Sequence, residues 1–84
     1  MIEIPCTITD PLGLHVQLAV LLASEAKRWR SRTTLEYHGN VMPAADLMQV
    51  MMHGIRSGED IVVRVDGPDE TTAADAIRKI MATF

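Results

Sequence analysis

Apolar and polar residues alternate at the start of the chain, where Ile2, Ile4, Cys6 and Ile8 are interleaved with Glu3, Pro5, Thr7 and Thr9. A period of two marks a half-buried strand. Pro5 has no N–H to give to a neighbour, so this strand is expected at a sheet edge. Asp10-Pro11-Leu12-Gly13 interrupts the alternation with turn-forming residues. From Val16 to Arg30 the spacing becomes helical, with Leu18, Leu21, Leu22 and Ala26 recurring on one face.

Thr33 to Tyr37 reads as a second strand with Leu35 and Tyr37 facing inward. His38-Gly39 suits a two-residue hairpin turn, since Gly tolerates positive φ. Asn40 to Met42 returns from that turn, and Pro43 ends it. Asp46 is a good N-cap for a short helix over Leu47 to His53, and Gly54 a natural stop. Asp60 to Asp66 is the clearest strand, with Ile61, Val63 and Val65 on one face and Arg64 and Asp66 on the other. Gly67-Pro68-Asp69 turns into a final helix striped by Ala73, Ile77, Ile80, Met81 and Phe84. The order β-α-β-β-α-β-α with short links predicts an α+β fold, an open-faced β-sandwich. Its four-stranded antiparallel sheet is expected to be covered on one face by three helices.

Length and composition narrow the function classes. A chain of 84 residues, 48% hydrophobic, supports one folded domain, expected over residues 1–84. A net charge of −3 argues against nucleic acid as a partner, because a phosphate backbone demands clustered cations. The basic run Lys27-Arg28-Trp29-Arg30-Ser31-Arg32 is short and reads as the end of the first helix, where cations oppose the dipole. Cys6 stands alone and reads as a small buried hydrophobe. No basic-then-apolar leader is present at Met1-Ile2-Glu3-Ile4, and the apolar run Leu18 to Ala23 is too short for a bilayer. A cytoplasmic protein without membrane insertion is the expectation. His38 and His53 have no acidic or thiol companions at ligand spacing, so neither a metal nor a cofactor is expected.

The chemistry concentrates in Pro11-Leu12-Gly13-Leu14-His15-Val16-Gln17, which places a histidine at the mouth of a helix. The first amides of a helix lack internal partners, and the dipole adds positive potential there. An anion such as a phosphoryl group is stabilised at such an end. The same field favours a neutral, nucleophilic imidazole.

Gly13-Leu14-His15 followed by a helix rich in small residues resembles HPr, the phosphocarrier of the bacterial sugar phosphotransferase system. The resemblance extends through Leu35-Glu36-Tyr37-His38-Gly39, through the segment Leu47 to Ile55, and through Gly67 with the acidic residues after it. It implies that His15 accepts a phosphoryl group on Nδ1 from Enzyme I, itself charged by phosphoenolpyruvate. The group would pass on to sugar-transporter or regulatory components. Its oxygens would face the backbone amides of Val16, Gln17 and Leu18. Such a chain is a reactant that other proteins phosphorylate rather than a self-sufficient enzyme, and a monomer is expected.

Three departures from the family pattern bear on the chemistry. The motif Gly-[Leu/Ile]-His-Ala-Arg-Pro-Ala here reads Gly13-Leu14-His15-Val16-Gln17-Leu18-Ala19. Gln17 replaces the arginine, and a charged hydrogen bond is worth roughly 1.5–3 kcal/mol against about 1 for a neutral one. Transfer is expected to slow by about one or two powers of ten. Leu18 replaces proline and restores a backbone N–H. Asp46 occupies the place of a serine that a regulatory kinase phosphorylates in many Gram-positive members; it reads first as a cap and second as a fixed negative charge. Val20, Ser24, Leu47, Met48 and Met52 are expected to form the partner surface, with Met51 filling the core. The alternative reading is an HPr-like regulatory or interaction module with weak or no phosphotransfer.

Overall fold

A computed structural model describes residues 1–83. The elements follow in the order β1 (Ile2–Thr7), α1 (Val16–Arg28), β2 (Arg32–Tyr37), β3 (Asn40–Pro43), α2 (Leu47–Met52), β4 (Asp60–Asp66) and α3 (Glu70–Thr83). All four strands join one antiparallel sheet in the order β1-β4-β2-β3. The fold is the expected α+β open-faced sandwich. β1 lies at the edge, as Pro5 requires, with Pro5 opposite Val62.

Register explains why one face is dry. Ile4 pairs with Val63, Val63 with Leu35, and Leu35 with Met42, so a single row of apolar side chains crosses the whole sheet. These four are buried, together with Leu18 and Leu22 of α1 and Ile77 of α3. Burying such a side chain fully stabilises by roughly 1.5–3 kcal/mol. The next row along points the other way. There Arg64 donates from Nε to Glu3 (2.7 Å) and from a terminal guanidinium nitrogen to Glu36 (2.7 Å), tying three strands together on the open face. At the β2–β3 turn, His38 and Gly39 take φ +50° and +80°, as a two-residue hairpin demands.

The structure corrects several side-chain assignments. α1 ends at Arg28 rather than Arg30 because the Asp69 carboxylate accepts the Arg30 and Ser31 amides (3.0 and 2.8 Å), drawing the chain out of the helix. Lys27 and Arg28 do occupy its last turn. Leu21 is 41% exposed, while Ala19 and Ala23 are buried beside Leu18, Leu22 and Ala26. The buried stripe is simply rotated from the one the leucines suggested. α2 stops at Met52, with His53 as its C-cap, and buries only Val50. Cys6 is half-buried, and burial pushes its thiol up. In the last stripe Ala73, Ala74 and Ile77 are buried, Ile80 and Met81 only partly. Phe84 lies outside the described residues.

Candidate functional site

The turn before α1 is built from Asp10. Its carbonyl accepts the Gly13 amide (2.8 Å), and its side-chain Oδ1 accepts the Leu12 amide (2.9 Å). Gly13 has φ +72°, and a Cβ there would lie 2.6 Å from the Ile55 carbonyl oxygen and 3.0 Å from the Arg56 Cα. Only glycine permits that approach. The Leu14 amide then donates to the Ile55 carbonyl (3.0 Å), fixing the turn against the segment that follows α2.

His15 is consequently the N-cap residue of α1, in extended backbone at φ −81°. Its carbonyl accepts the first helical bond from Ala19 (3.0 Å), so the amides of Val16, Gln17 and Leu18 lie ahead of the helical ladder. The His15 side chain makes no capping bond to this end. The imidazole is largely enclosed, with its side chain 18% exposed, and its Nε2 faces Asp10 Oδ2 across 3.4 Å. His15 opens onto a shallow depression that Pro11, Leu12, Met51, Ile55 and Arg56 also line. Gln17 and Val16 are exposed beside it, whereas the Leu18 side chain points into the core.

Most of the expected partner surface is open. Val20 and Ser24 are exposed along α1, and Met48 and Met52 are 74% and 79% exposed on α2. Two residues exchange roles. Leu47 is only half-buried and packs against the core, while Met51 is 37% exposed and borders the His15 depression. A six-residue helix has one inward position, and Val50 holds it.

Asp46 caps α2 with both carboxylate oxygens. One accepts the Gln49 amide (3.1 Å), the other the Gln49 side-chain Nε2 (2.8 Å). These hydrogen bonds hold its carboxyl below the usual carboxylate range, the backbone bond first. His38 has an acidic neighbour that lies outside ligand spacing in the sequence. The fold brings Glu59 within 3.2 Å of His38 Nε2, and the Tyr37 hydroxyl donates to the same carboxylate. That bond lowers the Glu59 carboxyl and raises the Tyr37 hydroxyl. Sequence reasoning also missed Asp10 and Arg56 as neighbours of His15. Asp10 looked like a turn residue, and the signal for Arg56 was Gly13, whose missing Cβ admits the segment that follows α2.

The geometry has counterparts among known proteins. Residues 2–83 match the family described as the PTS HPr component phosphorylation site. Phosphocarrier protein HPr of Xylella fastidiosa is 36% identical over 80 residues, covering 95% of this chain and 90% of its own. That of Mycoplasma capricolum is 36% identical over 84 residues, covering 96% and 91%. A solved histidine-containing phosphocarrier protein of Mycoplasma superposes with a TM-score of 0.92 at 32% identity, covering 98% of this chain and 93% of the other. A family match over residues 2–83, with relatives 36% identical over nearly the whole chain, places it in the HPr family of the phosphotransferase system.

Proposed function

We propose that this chain carries a phosphoryl group on His15, accepting it from phosphorylated Enzyme I and delivering it to a sugar-specific transporter component. The observation that carries the reading is the His15 N-cap itself: a nucleophile stands where the Val16, Gln17 and Leu18 amides precede the helical ladder. In the transfer step the Nδ1 lone pair attacks phosphorus. A new N–P bond forms as the donor's bond breaks, and the donor keeps the electron pair. The phosphoryl oxygens then meet the amides of Val16, Gln17 and Leu18 and the positive end of the dipole.

Gln17 offers a neutral amide where relatives carry a charge, so the Leu18 N–H gains weight in the site. Arg56 also lines this depression, held there by the close approach of its backbone to Gly13. Its charge also reaches Glu59, whose carboxyl it helps to lower. Docking falls to Val20, Ser24, Met48 and Met52 around the histidine, joined by Met51, since flexible thioethers adapt to more than one partner. Asp46 has both oxygens engaged by Gln49, which supports its role as a cap over that of a docking charge.

Incubation with Enzyme I and phosphoenolpyruvate tests the reading. The expected product is an acid-labile, base-stable phosphate on the parent protein and none on His15→Ala. A parent protein that stays unlabelled while an authentic HPr is labelled overturns it.

A further inference from the structure

Accepting a phosphoryl group puts positive charge on an imidazole. When Nδ1 bonds to phosphorus while Nε2 keeps its proton, the ring becomes an imidazolium. Whatever faces Nε2 therefore matters to the transition state, and here it is a carboxylate. Asp10 Oδ2 lies 3.4 Å from His15 Nε2, and the two side chains are only 22% and 18% exposed. The distance is long for a hydrogen bond, and contacts of this kind commonly tighten when the reacting group is bound.

Asp10 is also held in place. Its carbonyl accepts the Gly13 amide (2.8 Å), fixing the backbone, and its Oδ1 accepts the Leu12 amide (2.9 Å), a bond the carboxylate must break to swing away from His15. One oxygen thus orders the loop and the other faces the ring. We infer that Asp10 is a positioning residue for phosphoryl transfer, keeping the ring proton on Nε2 of His15 so that Nδ1 holds the lone pair, and stabilising the imidazolium that forms. The inference rests on the phosphocarrier reading above.

The physical reason is general. The hydrogen bond made by one imidazole nitrogen decides which nitrogen carries the proton, and a fixed carboxylate stabilises the cationic ring without taking that proton. In this step the Nδ1–P bond forms, the bond from phosphorus to the donor nitrogen breaks, and the donor retains the pair. The Nε2 proton stays on the ring, directed at Asp10. Charge is arranged differently from the family motif: an arginine on the phosphoryl side is absent at Gln17, and a carboxylate serves the ring side. Neutral amides meet the phosphoryl oxygens while Asp10 meets the positive charge behind them.

Two measurements decide it. The first is the long-range proton–nitrogen NMR spectrum of the His15 ring at about pH 8.5, where an ordinary imidazole is neutral. The parent protein is expected to carry its proton on Nε2, and a proton on Nδ1 overturns the inference. The second is the single-turnover rate of phosphate uptake from phosphorylated Enzyme I. Asp10→Ala is expected to be about tenfold slower, the size of one partly exposed charge-assisted contact. Asp10→Asn has a single acceptor oxygen, which keeps the bond from the Leu12 amide while its NH2 donor turns toward Nε2, so the turn survives and uptake is expected to be as slow as in Asp10→Ala. An Asp10→Ala rate equal to or above the parent's overturns the inference, and so does an Asp10→Asn rate equal to the parent's. If the parent takes no phosphate at all, the phosphocarrier reading is what fails; the ring spectrum, which needs no donor, still reports whether Asp10 sets the proton.

Discussion

The start of α1 and the start of α3 face the same electrostatic problem and resolve it in opposite ways. At α3 the Asp69 carbonyl opens the helix with a bond from Ala73 (3.0 Å), and the Asp69 carboxylate accepts from Ser31 and from the Arg30 amide. The Glu70 side chain beside it takes the N-terminal ammonium (2.8 Å). Two of the protein's own carboxylates therefore stand at that end, and at α2 the Asp46 side chain caps the Gln49 amide directly. At α1 the capping position holds His15, whose side chain makes no capping bond, and the first turn has no acidic residue. Two helix starts thus carry carboxylates of the protein, and the first turn of α1 carries none.

The contrast can be broken from either side. The largest effect is expected from His15→Asp. Its extended N-cap backbone suits a capping carboxylate, so phosphate labelling disappears while stability rises by about 1 kcal/mol, read as a higher Tm. A lower Tm would show that α1 is not short of a cap.

Removing the Asp69 carboxylate, which ties the start of α3 to Arg30 and Ser31, comes next. Asp69→Ala is expected to lower Tm, with labelling per folded molecule unchanged. Its pH signature has a definite sign. Hydrogen bonds, that of Ser31 first, hold the Asp69 carboxyl below its ordinary value of 3.8. A depressed carboxyl contributes stability above its unfolded value and loses it as pH falls through the folded one. The Tm difference between parent and Asp69→Ala should therefore shrink as pH drops below about 4. Asp46, also depressed, should behave in the same way at α2.

A smaller effect sharpens the picture at the open end. Gln17→Arg restores a full charge beside the phosphoryl group and is expected to speed uptake from Enzyme I by about tenfold or more. An unchanged rate would mean that Arg56 and the amides already supply what the site needs. Smallest of all, Asp46→Ser keeps a capping oxygen for the Gln49 amide, so Tm should barely move in differential scanning calorimetry.

Much of this was legible in the chain because it depends on local pattern. The bounds of β4, the edge position forced by Pro5, the hairpin at His38-Gly39 and the cap at Asp46 all follow from residues acting on their neighbours. What escaped was set at long range. α1 stops early because Asp69, far along the chain, takes the Arg30 and Ser31 amides. Leu21 and Met51 were turned the wrong way because periodicity gives the spacing of a buried stripe without its orientation. At the site, His15 and Gln17 could be read from the motif, but Asp10 meets His15 only after the Pro11-Leu12-Gly13 turn folds back. Arg56 arrives through a contact that exists because Gly13 has no side chain.

The central claim is that the start of α1 receives the phosphoryl group. Its most direct measurement is the amide proton–nitrogen spectrum of the protein before and after phosphorylation. The account predicts the largest shifts at the Val16, Gln17 and Leu18 amides, with those of Leu47, Met48 and Gln49 at the capped start of α2 nearly still. A phosphorylated protein in which the first-turn amides of α1 do not move would contradict it.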